Sequence, residues 1–165
     1  MRARIVRIAE DQVGKGPATV GADLSDYPFA LRRYVGPGDL WCTDFVSWVY
    51  KVAGAPLSGG GQGGWLIPNN VALRTWFERH GRWIGSGSAE WDSFEPRQGD
   101  YVRLHTLRGG HSALVRSVEG DTLHTVEGNV SNRVRLRTHQ GYKEDRFIDG
   151  IGVLALPGER PRLSR

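Results

Sequence analysis

Cys42 is the single cysteine of a 165-residue chain. It stands in Leu40-Trp41-Cys42-Thr43-Asp44-Phe45, where turn residues run directly into an apolar helical pattern. A thiol in the first turn of a helix meets unpaired backbone N–H groups and the positive end of the macrodipole, and both favour thiolate. The same N–H groups can hold an oxyanion. The plainer reading is an inert small hydrophobe beside Trp41 and Phe45, and a histidine base elsewhere would decide between the two. Among five histidines, His111 is the one placed for that task. It follows Gly109-Gly110 and opens HSALVRSV, where a turn delivers the chain into a largely buried strand. The others have ordinary explanations: His80 ends a helix, His105 and His124 are structural or surface residues on strands, and His139 is solvated in a basic stretch.

An acid to orient His111 lies sixteen positions on, in Glu127-Gly128-Asn129. The alternating segment before it pairs antiparallel with the His111 strand across the turn Glu119-Gly120-Asp121, which returns Glu127 towards His111. A carboxylate there accepts the imidazole N–H, fixes its tautomer and stabilises the imidazolium, while Asn129 can add a neutral hydrogen bond. The alternative is that Glu-Gly-Asn is simply a turn, because Gly and Asn tolerate positive φ.

The order cysteine, histidine, then Glu and Asn, on a helix and then on strands, is that of papain-like cysteine hydrolases. The chain resembles the CHAP family, the cysteine, histidine-dependent amidohydrolase/peptidase domain of peptidoglycan hydrolases. The matching pieces are WCTDFVSWVY, NNVALRTWF, PRQGDYVRL, GGHSALV and VEGNVSNRV, spread over about residues 36–155. The resemblance implies Cys42 as nucleophile, His111 as base, and Glu127 and Asn129 as their polar partners. It implies hydrolysis of peptidoglycan amides, between muramic acid and L-alanine or within the stem peptide, through a thioester acyl-enzyme. A papain-like site can also deamidate or transamidate proteins, as a toxin or modifying enzyme would. The non-enzymatic alternative is a catalytically idle wall-binding module.

The elements that must position these residues follow from local pattern. An amphipathic helix is predicted over 2–13 with Ile5, Ile8, Ala9, Gln12 and Val13 inward. After a loop through Pro17, Gly21 and Pro28, the turn Gly36-Pro37-Gly38-Asp39 leads to the cysteine helix, with Asp39 as its N-cap, Gly54 as its stop and Pro56 beyond. The glycine-rich run at 58–64 is a flap beside the cleft or a loose connector, and no Gly-Lys-Ser/Thr follows to make it a phosphate loop. Asn69 or Asn70 caps a helix that ends at Gly81. Strands are predicted at 101–105, 111–118, 122–127, 134–138 and 148–156. Helices first and strands later give an α+β class, here a papain-like CHAP fold with N-terminal helices packed on an antiparallel sheet of about five strands. One catalytic domain would span 1–157, with a disordered tail at 158–165.

Composition agrees: 39% apolar content supports one core, and 23 glycines with 8 prolines suit a loop-rich fold. The net charge of +4 favours a polyanion, and cell wall qualifies as well as nucleic acid does. Arg133, Arg135 and Arg137 alternate along one strand as a solvated edge or a wall-binding strip. No recognition helix, aromatic RNA-binding pattern or zinc finger supports nucleic acid. Of Trp65, Trp76, Trp83 and Trp91, the first and third are the candidates to line a substrate groove, against the commoner core role. One cysteine and scattered histidines lack metal-ligand spacing, and no cofactor is implied. The N-terminus is too charged for a signal peptide and no run could span a bilayer. A monomer made in the cytoplasm and delivered to the wall by lysis or dedicated secretion is expected, with room for an inhibitor or immunity protein.

Overall fold

A computed structural model describes residues 1–22, 31, 35–36, 38–106 and 109–159. The expected loop through Pro28, the turn through Pro37 and the tail from 160 onward lie outside the described residues. Three helices come first: α1 (Arg2–Glu10), α2 (Cys42–Ala53) and α3 (Asn70–Arg79). Six strands follow: β1 (Trp83–Gly85), β2 (Tyr101–Thr106), β3 (Gly109–Glu119), β4 (Thr122–Val130), β5 (Arg133–His139) and β6 (Ile148–Gly152). They form one sheet in the order β1-β6-β2-β3-β4-β5, antiparallel throughout.

The class is the expected α+β, with one strand more than predicted. β1 is three residues long, too short to show alternation in the sequence, and it exists because it pairs with β6 at the sheet edge. α1 stops at Glu10 instead of 13, since Gln12 turns its carboxamide to the Gly21 N–H at 2.9 Å while Val13 is 41% exposed. Glu159 is ion-paired with Arg2 at 2.7 Å, so the predicted tail is tied down at its start.

Alternation along the strands explains where the core sits. Tyr101, Leu114, Val126 and Val134 face one way and pack with Ile5, Phe45, Trp48 and Phe77 of the helices. Val102, Leu104, Ala113, Val115 and Leu123 face the other way and pack with Trp91, Phe94 and Tyr142 from the connecting segments. With both faces covered, α2 lies between sheet and α1, and eleven of its twelve residues are buried. It ends as predicted at Gly54, whose φ of 88° is the left-handed C-cap that glycine adopts without a Cβ clash. α3 starts at Asn69, whose side chain accepts the Ala72 N–H at 2.7 Å. The glycine-rich run is no loose connector, because Gly60 N–H donates to Gly64 O and Gly61 N–H to Leu66 O, each at 2.8 Å.

Candidate active site

Cys42 is the first residue of α2, and the cap before it is Trp41. Asp39 is not the N-cap: its carboxylate accepts the Gly36 N–H at 2.6 Å and stabilises the preceding turn instead. No side chain caps α2, so its leading N–H groups remain directed along the axis towards the thiol end. Trp41 is fixed from two sides, its indole N–H donating to Asn132 Oδ1 at 3.0 Å and its ring meeting Phe45 edge-on at 6.3 Å. In the same turn Asp44 is buried, and burial chiefly raises its pKa to about 7, with Asp39 adding to the rise against its own backbone N–H.

β3 and β4 bring the partners. The two-residue turn Gly120-Asp121 sets Glu119 opposite Thr122, and a one-residue register shift between Val115 and Ser117 then places Ala113, rather than Leu114, opposite Glu127. His111, two residues before Ala113, therefore shares a sheet face with Glu127. The approach of this hairpin to α2 requires Gly128: a Cβ there would lie 2.7 Å from Phe45 Cβ and 2.9 Å from Trp41 Cζ3. Thr43 and Ser112 lock the same junction, their hydroxyls 2.9 Å apart, with Tyr101 Oη 3.2 Å from Ser112 Oγ. Before His111, the Asn70 amide donates to Gly110 O at 2.9 Å.

The result is a line of three groups. His111 Nε2 lies 2.9 Å from Glu127 Oε2, and the His111 imidazole is near enough to the Cys42 thiol for each to shift the other's pKa. With Nε2 engaged by the carboxylate, Nδ1 is the nitrogen left for the sulfur. Burial raises the thiol pKa, but the His111 hydrogen bond and charge, the Ser112 N–H and the Thr43 hydroxyl outweigh it and hold the thiol below its ordinary value. Burial likewise opposes the charge on His111, yet Cys42 first and Glu127 second raise it to about 9. Glu127 is pulled to about 2 against its burial by His111, His139 and Thr125. Each shift favours the charged form of its group, so the arrangement favours thiolate, imidazolium and carboxylate in series. Cys42 is 4% exposed and the His111 side chain 17%, so the pair meets solvent mainly through the imidazole.

The remaining candidates divide. Asn129 has φ 62° at the register shift between Glu127 and Val130, and among the described residues its side chain makes no hydrogen bond to His111. Its positive φ is the turn role weighed above. Trp65 does not line a groove: it is 5% exposed and packs in the helix-side core, and Trp91 is 3% exposed on the other face. Trp83 is half-buried, with the Arg74 guanidinium 5.2 Å over its ring, and Trp76 is stacked on His80, the C-cap of α3. His105 pairs with Asp149 at 3.0 Å, and His124 meets Thr138 at 3.1 Å. Arg135 and Arg137 are exposed on the edge strand, whereas Arg133 donates to Gly14 O.

His139 is the residue that pattern reading missed. It is not solvated but lies 3.1 Å from Glu127 Oε1, with only 15% of its side chain exposed. The one available signal was its place on β5, two residues beyond Arg137, which the register sets opposite Thr125. Among the described residues no group of three His, Cys, Asp or Glu could hold a metal ion, and no helix is long and apolar enough to cross a membrane.

Comparison with known proteins adds three findings. The CHAP domain family model matches residues 34–129, a span that includes Cys42, His111, Glu127 and Asn129. No curated protein sequence matches the chain. Among solved structures, Ly7917 is similar, with 18% identity and a TM-score of 0.56. Ly7917 with the hydrolyzing product of MDP gives 17% and 0.55. Both similarities cover 93% of this chain, which spans 62% and 63% of the Ly7917 chains, so they establish a shared fold over part of a longer protein.

Proposed function

Because this chain belongs to the CHAP domain family, we propose that it is a cysteine-dependent amidohydrolase cutting amide bonds of bacterial peptidoglycan. The observation that carries the reading is the series Cys42, His111 and Glu127, with the imidazole 2.9 Å from the carboxylate and electrostatically coupled to the thiol at the start of α2. Such an ion pair exists to attack an electrophilic carbon and then supply a proton.

In this mechanism the Cys42 thiolate adds to the amide carbonyl carbon. Negative charge moves to the carbonyl oxygen, where the uncapped N–H groups at the start of α2, including that of Cys42, stabilise it. The C–N bond breaks as His111 passes its proton to the departing amine, leaving a thioester on Cys42. Neutral His111 then takes a proton from water, the hydroxide displaces the thiolate, and the acid product leaves. Glu127 stays ionised throughout and holds the imidazole through Nε2. Its low pKa keeps it from taking the proton that the amine needs.

Peptidoglycan as substrate rests on family membership and on the hydrolyzing product of MDP seen with Ly7917. The target bond is the one between muramic acid and L-alanine or one within the stem peptide. The exposed Arg135 and Arg137, together with a net charge of +4, suit an anionic polymer. Mass spectrometry of muropeptides from purified sacculi, digested with the wild type and with Cys42→Ala, tests both bond and nucleophile. The expected result is new amino groups with the wild type and none with the variant. Equal cutting by Cys42→Ala would refute the thiol mechanism. A protein-modifying enzyme would release no new amino groups from sacculi, and a wall-binding module would bind equally well without Cys42.

A further inference from the structure

Glu127 serves two imidazoles. While Oε2 takes His111, Oε1 lies 3.1 Å from His139 Nε2 and 2.7 Å from the Thr125 hydroxyl. Thr125 Oγ1 is also 3.2 Å from His139 Nε2. Counting protons fixes the roles. An ionised carboxylate has none to give, and the one hydroxyl proton of Thr125 goes to Oε1. His139 Nε2 must therefore carry hydrogen and share it between Glu127 and Thr125. Its tautomer is set by two acceptors that both face the catalytic line.

We infer that His139 is a positioning residue for catalysis: with Thr125 it saturates Oε1, so that Glu127 cannot turn Oε2 away from His111. This rests on the cysteine-hydrolase reading above. The register supports it, since His139 is opposite Leu123, which shares a strand face with Thr125 and Glu127. The other charged or titratable groups on that face include His111 of β3, Tyr142, Arg133 of β5, and the exposed Arg135 and Arg137 of β5, which lie opposite Glu127 and Thr125. No arginine of β5 forms an ion pair with Glu127, so His139 is the group on β5 that supports the carboxylate. Removing it leaves a 4%-exposed carboxylate with one donor fewer on Oε1. The carboxylate then gains freedom to rotate, the imidazolium loses part of its counter-charge, and the Cys42 thiolate loses part of its partner.

The test is the pH dependence of Cys42 alkylation by iodoacetamide, followed by intact mass, beside the rate of sacculus digestion. It compares wild type, His139→Ala and His139→Gln, each with and without Glu127→Gln. His139→Ala is expected to move the alkylation midpoint up by about one pH unit and to slow digestion about tenfold at unchanged KM, the size of one hydrogen bond to a charged group. His139→Gln, whose amide N–H can reach Oε1, is expected to restore most of both. In the Glu127→Gln background, substitution of His139 should change neither. A His139→Ala curve that superposes on the wild type overturns the inference, and so does an effect that persists without the Glu127 charge. If His139→Ala does not fold, His139→Leu against His139→Gln gives the same contrast. A wild-type midpoint at the pH of an ordinary thiol, insensitive to Glu127→Gln, would instead overturn the parent reading.

Discussion

Replacing Glu127 by Gln keeps the side chain's shape and removes its charge, which makes it the most direct probe of the ion series. The displacement of His111 from 6.5 to about 9 corresponds to about 3 kcal/mol in favour of the imidazolium. Cys42 supplies the larger part and Glu127 the smaller, so loss of Glu127 should cost about 1–2 kcal/mol of that preference, or about 5- to 30-fold. The sign follows from which form is active. Thiolate with imidazolium exists above the thiol's pKa and below that of His111, so activity is a bell with its basic limb near 9. Without Glu127 the imidazolium is weaker, and the basic limb should fall by about one pH unit. The thiolate in turn faces a weaker cation, and the acid limb should rise. The assay is the initial rate of dye release from labelled sacculi across pH, with alkylation as an independent measure of thiolate. A Glu127→Gln profile with its basic limb still near 9 would refute the assignment of Glu127 as the group that holds the imidazolium.

Gly128→Ala should drive a Cβ into Phe45 and Trp41, costing about 1–3 kcal/mol of stability in chemical denaturation. Activity should fall further than stability alone explains, because the hairpin carrying His111 and Glu127 must back away from Cys42. Ser112→Ala leaves the buried Thr43 and Tyr101 hydroxyls without a partner they now share, an expected loss of about 1–3 kcal/mol. Asp44→Asn should stabilise the protein at alkaline pH and not in acid. A carboxyl raised from 3.8 to about 7 favours the folded state only while protonated, so stability drops as pH rises through that window. Removing the charge should recover up to about 4 kcal/mol, read as a higher Tm at about pH 8 with no change near pH 3.

The sequence was most legible where one element decides its own ends. Cys42 at a helix start, Gly54 as its stop, Asn69 as the cap of α3 and the turn ahead of Thr122 all follow from local backbone chemistry. Hairpin length returns Glu127 towards the His111 end of β3, but the one-residue register shift between Val115 and Ser117 is what sets Glu127 on the His111 face. Asp39 misled because a carboxylate before a helix has two local uses, and here the turn N–H of Gly36 outcompetes the helix. Trp65 misled because a large aromatic ring serves a groove or a core equally well, and only its 5% exposure separates the two.

What the chain determined by itself is a set of oriented pieces: a helix beginning at the sulfur, a strand beginning at the imidazole, and a carboxylate returning on the next strand. Tertiary structure decided that the sulfur and the imidazole come together, since they are 69 residues apart and are brought near by the packing of α2 on β3 and β4, in which Gly128 lies against Phe45 and Thr43 against Ser112. It also decided that His139 lies against Glu127. Its position depends on the tight turn at Ser131 and Asn132, both at positive φ, and on the register shift after Glu127. One residue of slip there would send the His139 ring to the opposite face of the sheet, because side chains alternate along a strand whatever their chemistry.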